Sequence, residues 1–136
     1  MEGGVRMKKF NKYDVIFCEF YSSDGCKQSG YRPAIVMQND IGNRYSPTLI
    51  VLPLTSKIKN LEQPTHMIIN SGDDNGLISD SMLLAEQITT IDKTKAKKIG
   101  KISNRETQKS IFKCYIYAAA YGDFDEDLQS LQIGVV

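Results

Sequence analysis

Two side chains in this sequence combine the chemistry and the setting needed to hold a phosphate: Arg32 and Thr55. Arg32 follows a polar segment that contains Gly25 and Gly30, and it directly precedes Pro33. Proline disfavours the helical region for the residue before it, so Arg32 is predicted to stand extended at the mouth of a strand. From that fixed origin a guanidinium reaches two phosphoryl oxygens at once, and it stays charged at any physiological pH. Thr55 closes the apolar run Thr48 to Thr55 (TLIVLPLT), at the edge of the polar loop Ser56-Lys57-Ile58-Lys59. A hydroxyl there has a proton to donate to the same anion. On residue type alone, an arginine and a threonine at strand ends are far more often ordinary surface residues.

Other chemistries find little support. His66 is the only histidine, and Pro64-Thr65-His66-Met67 offers no second metal ligand at useful spacing, so a structural role is expected for it. There is no Gly-x-Ser-x-Gly elbow, phosphate-binding glycine loop or His-Glu-x-x-His helix. Cys18, Cys26 and Cys114 are odd in number and never spaced Cys-x-x-Cys, which points to neither a disulfide framework nor zinc. They are read as reduced and structural, and no cofactor is expected. The net charge is +1, but six basic residues (Lys93, Lys95, Lys97, Lys98, Lys101 and Arg105) follow one another with no acid between them. That run reads equally well as a phosphate-facing edge or as a solvated turn. Asp123, Asp125, Glu126 and Asp127 crowd the tail.

These residues need a frame, and 136 residues with 41% hydrophobic content suffice for one domain with a modest core. No apolar stretch approaches the ~20 residues of a membrane helix, and Met1 to Phe10 lacks a secretory apolar region, so a cytoplasmic protein without a membrane partner is expected. Strands are predicted at Asp14 to Phe20, Ala34 to Met37 and Thr48 to Thr55, with shorter ones at His66 to Asn70, Ser81 to Leu84 and Gln87 to Ile91. Pro53 suggests an edge position or a bulge. Short strands with no long helix between them favour an antiparallel barrel or sandwich. One helix is signalled by the capping box Ser103-Asn104-Arg105-Glu106, with Ile111, Phe112, Tyr115, Ile116 and Ala119 on its apolar face and Gly122 as its stop. Residues 1–10 read as an extension, 11–121 as the domain and 122–136 as an acidic tail.

Gly30-Tyr31-Arg32-Pro33-Ala34-Ile35-Val36-Met37-Gln38-Asn39-Asp40 resembles the MazF/PemK pattern of glycine, any residue, Arg-Pro, an apolar run and Gln-Asn-Asp. The likeness continues through Ile41 to Thr48, Leu52-Pro53-Leu54-Thr55-Ser56, Pro64-Thr65-His66, Asp80-Ser81 and Glu86 to Lys93, in family order from about Asn11 to Ala120. The resemblance implies a mainly β (α+β) fold, a small SH3-like antiparallel barrel shared with the CcdB gyrase poisons, with its C-terminal helix packed on the sheet. It further implies a metal-independent endoribonuclease toxin that cuts single-stranded RNA at a short sequence, as a homodimer restrained by a MazE-like antitoxin. By position Arg32 and Thr55 match the catalytic pair. Gln28, Ser81 and Gln87 match positions near the RNA or the dimer groove, and Lys27, Ser56 and Lys57 join them as candidate RNA contacts.

Two departures stand out. The family's Gly-Ser-Glu-Gln is here Gly25-Cys26-Lys27-Gln28, a base for an acid, and its glycine before the first strand's aspartate is Tyr13. The implied reaction is attack of a ribose 2′-hydroxyl on the adjacent phosphate, with Arg32 neutralising the phosphoryl oxygens and Thr55 orienting them. Two other functions compete: a gyrase poison like CcdB, whose C-terminal Trp this tryptophan-free chain lacks, and a silent RNA-binding module.

Overall fold

The apolar runs become the strands β1 (Asp14–Phe20), β2 (Gly30–Val36), β3 (Thr48–Thr55), β4 (His66–Ile69) and β5 (Ser81–Leu84). They are joined by β6 (Thr89–Asp92), β7 (Lys97–Lys101), a short helix α1 (Asp40–Tyr45) and the long helix α2 (Arg105–Ala120). The computed structural model describes residues 9–20 and 30–120, which excludes Cys26, the Gly122 stop and the acidic tail. All strand pairs are antiparallel, in the order β4-β5-β3-β2-β1-β7, with β6 on β3. The expected antiparallel sheet with a C-terminal helix is what forms.

β3 organises the sheet. One flank lies along β2, while the other is divided: Thr48 to Val51 pair with β6, and Leu54 and Thr55 pair with β5. Pro53 falls in the gap between those two partners, so it marks a change of neighbour inside a central strand and not an edge. A residue without an amide is tolerated where no ladder bond is called for.

Both faces of β1, β2 and β3 are buried, which is why their sequences read as continuous apolar runs. Val15, Ile35, Leu52 and Leu54 feed a core that α2 covers with Ile111 and Cys114. Ile16, Cys18, Ala34, Val36, Leu49 and Val51 alternate with them and feed a second core, which also holds Phe10 and Phe20. Tyr13, at φ +73°, occupies the third position of a turn closed by the Asp14 amide on the Asn11 carbonyl. Glycine adopts that left-handed backbone without strain, and Tyr13 offsets its cost by packing against the first core.

Several expectations are corrected. α2 starts at Arg105, capped by Asn104, whose Oδ1 accepts from the Thr107 amide at 2.9 Å. The Ser103 box is displaced by one residue because both side chains are able caps. The buried face of α2 runs through Ile111, Cys114 and Tyr115, whereas Phe112 is 43% exposed beneath the Lys12 ammonium, and Ala119 is exposed. Gln87 lies on a single helical turn, residues 85–87, ahead of β6.

The basic run is not one surface. Lys97, Lys98 and Lys101 belong to the edge strand β7, and Lys98 pairs with the buried carboxylate of Asp14 at 3.2 Å. Lys93 is 3% exposed, and its Nζ donates to the carbonyl of Asn43 near the end of α1. Asn43 is itself buried, donating to the Gln38 carbonyl at 2.9 Å, while Gln38 Nε2 donates to the Thr48 carbonyl at 2.9 Å. This network ties α1 between β2 and β3.

Candidate active site

The pairing of β2 with β3 sets Ala34 opposite Pro53. Carried two residues further, the same antiparallel offset sets Arg32 opposite Thr55, and strand alternation puts both on one face. The ladder itself stops at Ala34 and Pro53. Pro33 and Pro53 have no amide to donate, and β3 turns to β5, pairing Leu54 with Leu83 and Thr55 with Met82. The two strands part there, and Arg32 and Thr55 line the hollow of about 390 Å³ that opens.

The hollow is apolar on one side and polar on the other. Phe17 and Tyr31, stacked at 5.8 Å with 15° between their planes, form an aromatic rim, and Ile78 stands wholly exposed beside them. Ser56, Lys57 and Ser81 complete the polar side. Gly76 and Gly100 keep this rim close to β7. A Cβ on Gly76 would meet the Ile99 carbonyl at 2.1 Å, and one on Gly100 the Asp74 carbonyl at 2.4 Å.

Thr55 is 6% exposed, and its Oγ1 accepts from the Lys57 amide at 3.1 Å. That contact uses a lone pair and leaves the hydroxyl proton for an incoming acceptor. Ser81 differs: its hydroxyl donates to the Ser79 carbonyl at 3.1 Å, so it holds the hollow's wall. Arg32 is half-buried, and burial pushes its pKa down from the ordinary arginine value. Partial desolvation strengthens its attraction for an anion, because less water screens the pair.

A second hollow of about 250 Å³ lies on the other side of Arg32, lined by Gln87, Thr89 and Lys95 over Cys18, Phe20 and Pro53. Five candidates, Arg32, Thr55, Ser56, Lys57 and Ser81, therefore meet in the first hollow, while Gln87 joins Arg32 in the second. Gln28 and Lys27 lie outside the described residues. Sequence reasoning missed Phe17, Tyr31 and Ile78 as site residues, and reached Lys95 only as one member of the basic run. Phe17 reads as core within Asp14 to Phe20, and only the parting of β2 from β3 exposes its face.

His66 serves structure. Its Nδ1 donates to the Asn60 carbonyl at 2.9 Å, and its Nε2 lies 3.1 Å from Glu86 Oε2, whose other oxygen accepts from Thr65 Oγ1. This clamps the loop after Thr55. Cys18 and Cys114 are buried free thiols; burial pushes Cys18 up to about 12 and raises Cys114 as well. Among the described residues no three His, Cys, Asp or Glu side chains converge as metal ligands, and no helix is long and apolar enough to cross a membrane.

Residues 11–110, which contain both hollows, match the PemK-like, MazF-like toxin of type II toxin-antitoxin systems. Endoribonuclease EndoA of Bacillus subtilis is 48% identical over 80 residues, 59% of this chain and 68% of that protein. Endoribonuclease MazF of Staphylococcus saprophyticus is 42% identical over 84 residues, 62% of this chain and 69% of its own. Among solved structures, MazF from Deinococcus radiodurans superposes with a TM-score of 0.65 at 17% identity, covering 79% of this chain and 94% of that one. An endoribonuclease in complex with its cognate antitoxin, from a mycobacterial species, gives 0.60 at 17% identity over 93% and 98%. At such identities the superpositions speak for the fold, and the sequence matches speak for descent. This chain belongs to the family of PemK-like, MazF-like toxins of type II toxin-antitoxin systems.

Proposed function

We propose that this chain, an endoribonuclease of a toxin-antitoxin system, cuts single-stranded RNA by turning a ribose 2′-hydroxyl onto the adjacent phosphate. The new 2′-O–P bond replaces the P–O5′ bond, giving a 2′,3′-cyclic phosphate and a 5′-hydroxyl end. The observation that carries this reading is the shared hollow in which a half-buried guanidinium and an oriented hydroxyl face the same space.

In this reading Arg32 binds two phosphoryl oxygens and neutralises the charge that grows on them, which is a transition-state interaction in a partly dry site. Thr55 donates one hydrogen bond and sets the phosphate's orientation. Lys57 attracts the strand, Gln87 contacts it across Arg32, and Lys27 and Gln28, which lie outside the described residues, are further candidate RNA contacts. The working unit is a homodimer, and a MazE-like antitoxin restrains it. In support, other solved members of this fold include MazE-MazF complexes from Deinococcus radiodurans.

The test uses an RNA in which only the nucleotide 5′ to the cut carries 2′-deoxyribose. The strand should bind, inhibit and resist cleavage, because the nucleophile is gone while the phosphate contacts remain. Excess EDTA should leave cleavage of ordinary RNA unchanged. Normal cutting of the modified strand, or loss of activity in EDTA with rescue by magnesium, would show that water attacks and would overturn the mechanism.

A further inference from the structure

The connection from β3 to β4 has to double back. Both strands are antiparallel to β5, which lies between them, so they run parallel to each other. β3 ends with Thr55 opposite Met82, near the start of β5, whereas β4 begins with His66 opposite Leu84, at its end. Residues 56–65 therefore return along β5, and they do so without a helix or strand of their own. An irregular connection of that length, exposed from Ser56 to Gln63, keeps one shape only where something pins it. Yet its first two residues, Ser56 and Lys57, stand in the Arg32 hollow. The pins are His66 and Glu86. Asn60, at φ +57°, begins a turn in which its carbonyl accepts from the Gln63 amide at 3.2 Å, and the same carbonyl accepts from His66 Nδ1 at 2.9 Å. The other ring nitrogen, Nε2, lies 3.1 Å from Glu86 Oε2, and Glu86 Oε1 accepts from Thr65 Oγ1 at 2.9 Å. The imidazole is thus held at both nitrogens, with its side chain only 6% exposed. Pinning Asn60 shortens the free span to Ser56 through Lys59, between the end of β3 and the turn.

We propose that Glu86 and His66 are positioning residues for RNA binding: Glu86 orients the imidazole, the imidazole fixes Asn60, and the short span so defined holds Lys57 at the Arg32 hollow. Neither side chain lines either hollow, so both act through the loop. A cation held in place beforehand gives up little freedom when a strand arrives, and the affinity gained is the freedom not lost. Glu86 also precedes Gln87, which lines the second hollow, so one carboxylate ties together the elements that carry both walls. The inference rests on the RNA reading of this site for its consequence, but the pinning itself is measured without RNA.

Full-length protein is compared with Glu86→Ala and Glu86→Gln. Both variants remove the same charge, but only Gln keeps an acceptor for Thr65 Oγ1 and a donor for His66 Nε2. Without RNA, hydrogen exchange at the Lys57 amide, which donates to Thr55 Oγ1, should quicken in Glu86→Ala and return to the parent rate in Glu86→Gln. Loss of an acid by itself strengthens a protein's hold on a polyanion. Glu86→Ala should do the opposite and weaken binding of a non-cleavable RNA about fivefold, the scale of one hydrogen bond, whereas Glu86→Gln should bind at least as tightly as the parent. In a Lys57→Met background the same Ala substitution should add less than about twofold, because its effect passes through Lys57. An unmoved Lys57 amide, unchanged or tighter binding by Glu86→Ala, equal losses in Ala and Gln, or full additivity with Lys57→Met would overturn the proposal. Altered exchange in a protein whose parent binds no RNA would keep the pinning and overturn the RNA reading instead.

Discussion

At the residue scale, Arg32 and Thr55 are proposed to do different work on one phosphate, and separate variants should tell them apart. Arg32→Ala should fold normally and lose cleavage by about 10²-fold or more, the range found when one preorganised donor to a developing charge is removed. Arg32→Lys should recover little, since a point charge does not reproduce a planar two-pronged contact. Thr55→Ser keeps the hydroxyl and should stay active, whereas Thr55→Ala should lose less than Arg32→Ala. Single-turnover rates on one RNA check all three; full activity in folded Arg32→Ala protein would remove the centre of the mechanism. Pro33 after Arg32 and the polar loop after Thr55 single the two positions out in the sequence, but such features are as common on ordinary surfaces, and only the family resemblance gave the pair a role. The aromatic rim was not legible, because Phe17 and Cys18 look alike until one knows which face of β1 the parting strands uncover. Tyr13 allows a test of backbone strain. Gly and Ala both remove the ring, but only Gly relieves φ +73°, so Tyr13→Gly should be more stable than Tyr13→Ala by about 1 kcal/mol in urea titration. Equal midpoints would mean that the turn relaxes at no cost.

At the scale of elements, the strands buried on both faces were the easiest to read, and the corrections come from elements whose partners decide them. β7 carries Lys97, Lys98 and Lys101, a composition that reads as a turn but suits an edge strand, where lysines discourage further pairing. α1 is six residues long, too short for a periodic pattern, and holds its place through the buried Gln38, Asn43 and Lys93. Lys93 therefore distinguishes two meanings of the basic run. Lys93→Met keeps the hydrocarbon stem but leaves the Asn43 carbonyl without its ammonium donor, a loss of about 1–3 kcal/mol for an uncompensated buried acceptor. The salt dependence of RNA binding should stay as it is, because this cation faces α1 and not a phosphate. Lys95→Met should do the reverse, flattening the salt slope by about one released counterion with little change in midpoint, since Lys95 is exposed beside Arg32. A flattened slope in Lys93→Met protein would return that residue to the phosphate-facing edge.

At the scale of the whole molecule, the two hollows are small beside the length of a strand that the proposed reaction would hold in register. They lie on either side of Arg32, at about 390 and 250 Å³, and the larger is rimmed by exposed Tyr31 and Ile78. One small barrel offers little concave surface, and a second copy placed against that rim would deepen the hollow into a groove while burying apolar area that water now covers. Two-fold pairing is also the commonest way a soluble chain closes on itself, and it would give the RNA two equivalent Arg32 sites along one path. The expectation is a dimer in sedimentation velocity at micromolar protein, with cleavage falling faster than linearly as the chain is diluted below its dimer dissociation constant. Ile78→Asp should shift that constant upward by at least tenfold, because it places a charge on the apolar rim. Arg32→Ala should leave it unchanged. A strictly monomeric species that keeps its full specific activity at nanomolar concentration would show that one barrel suffices, and the groove would then have to be built from a single copy.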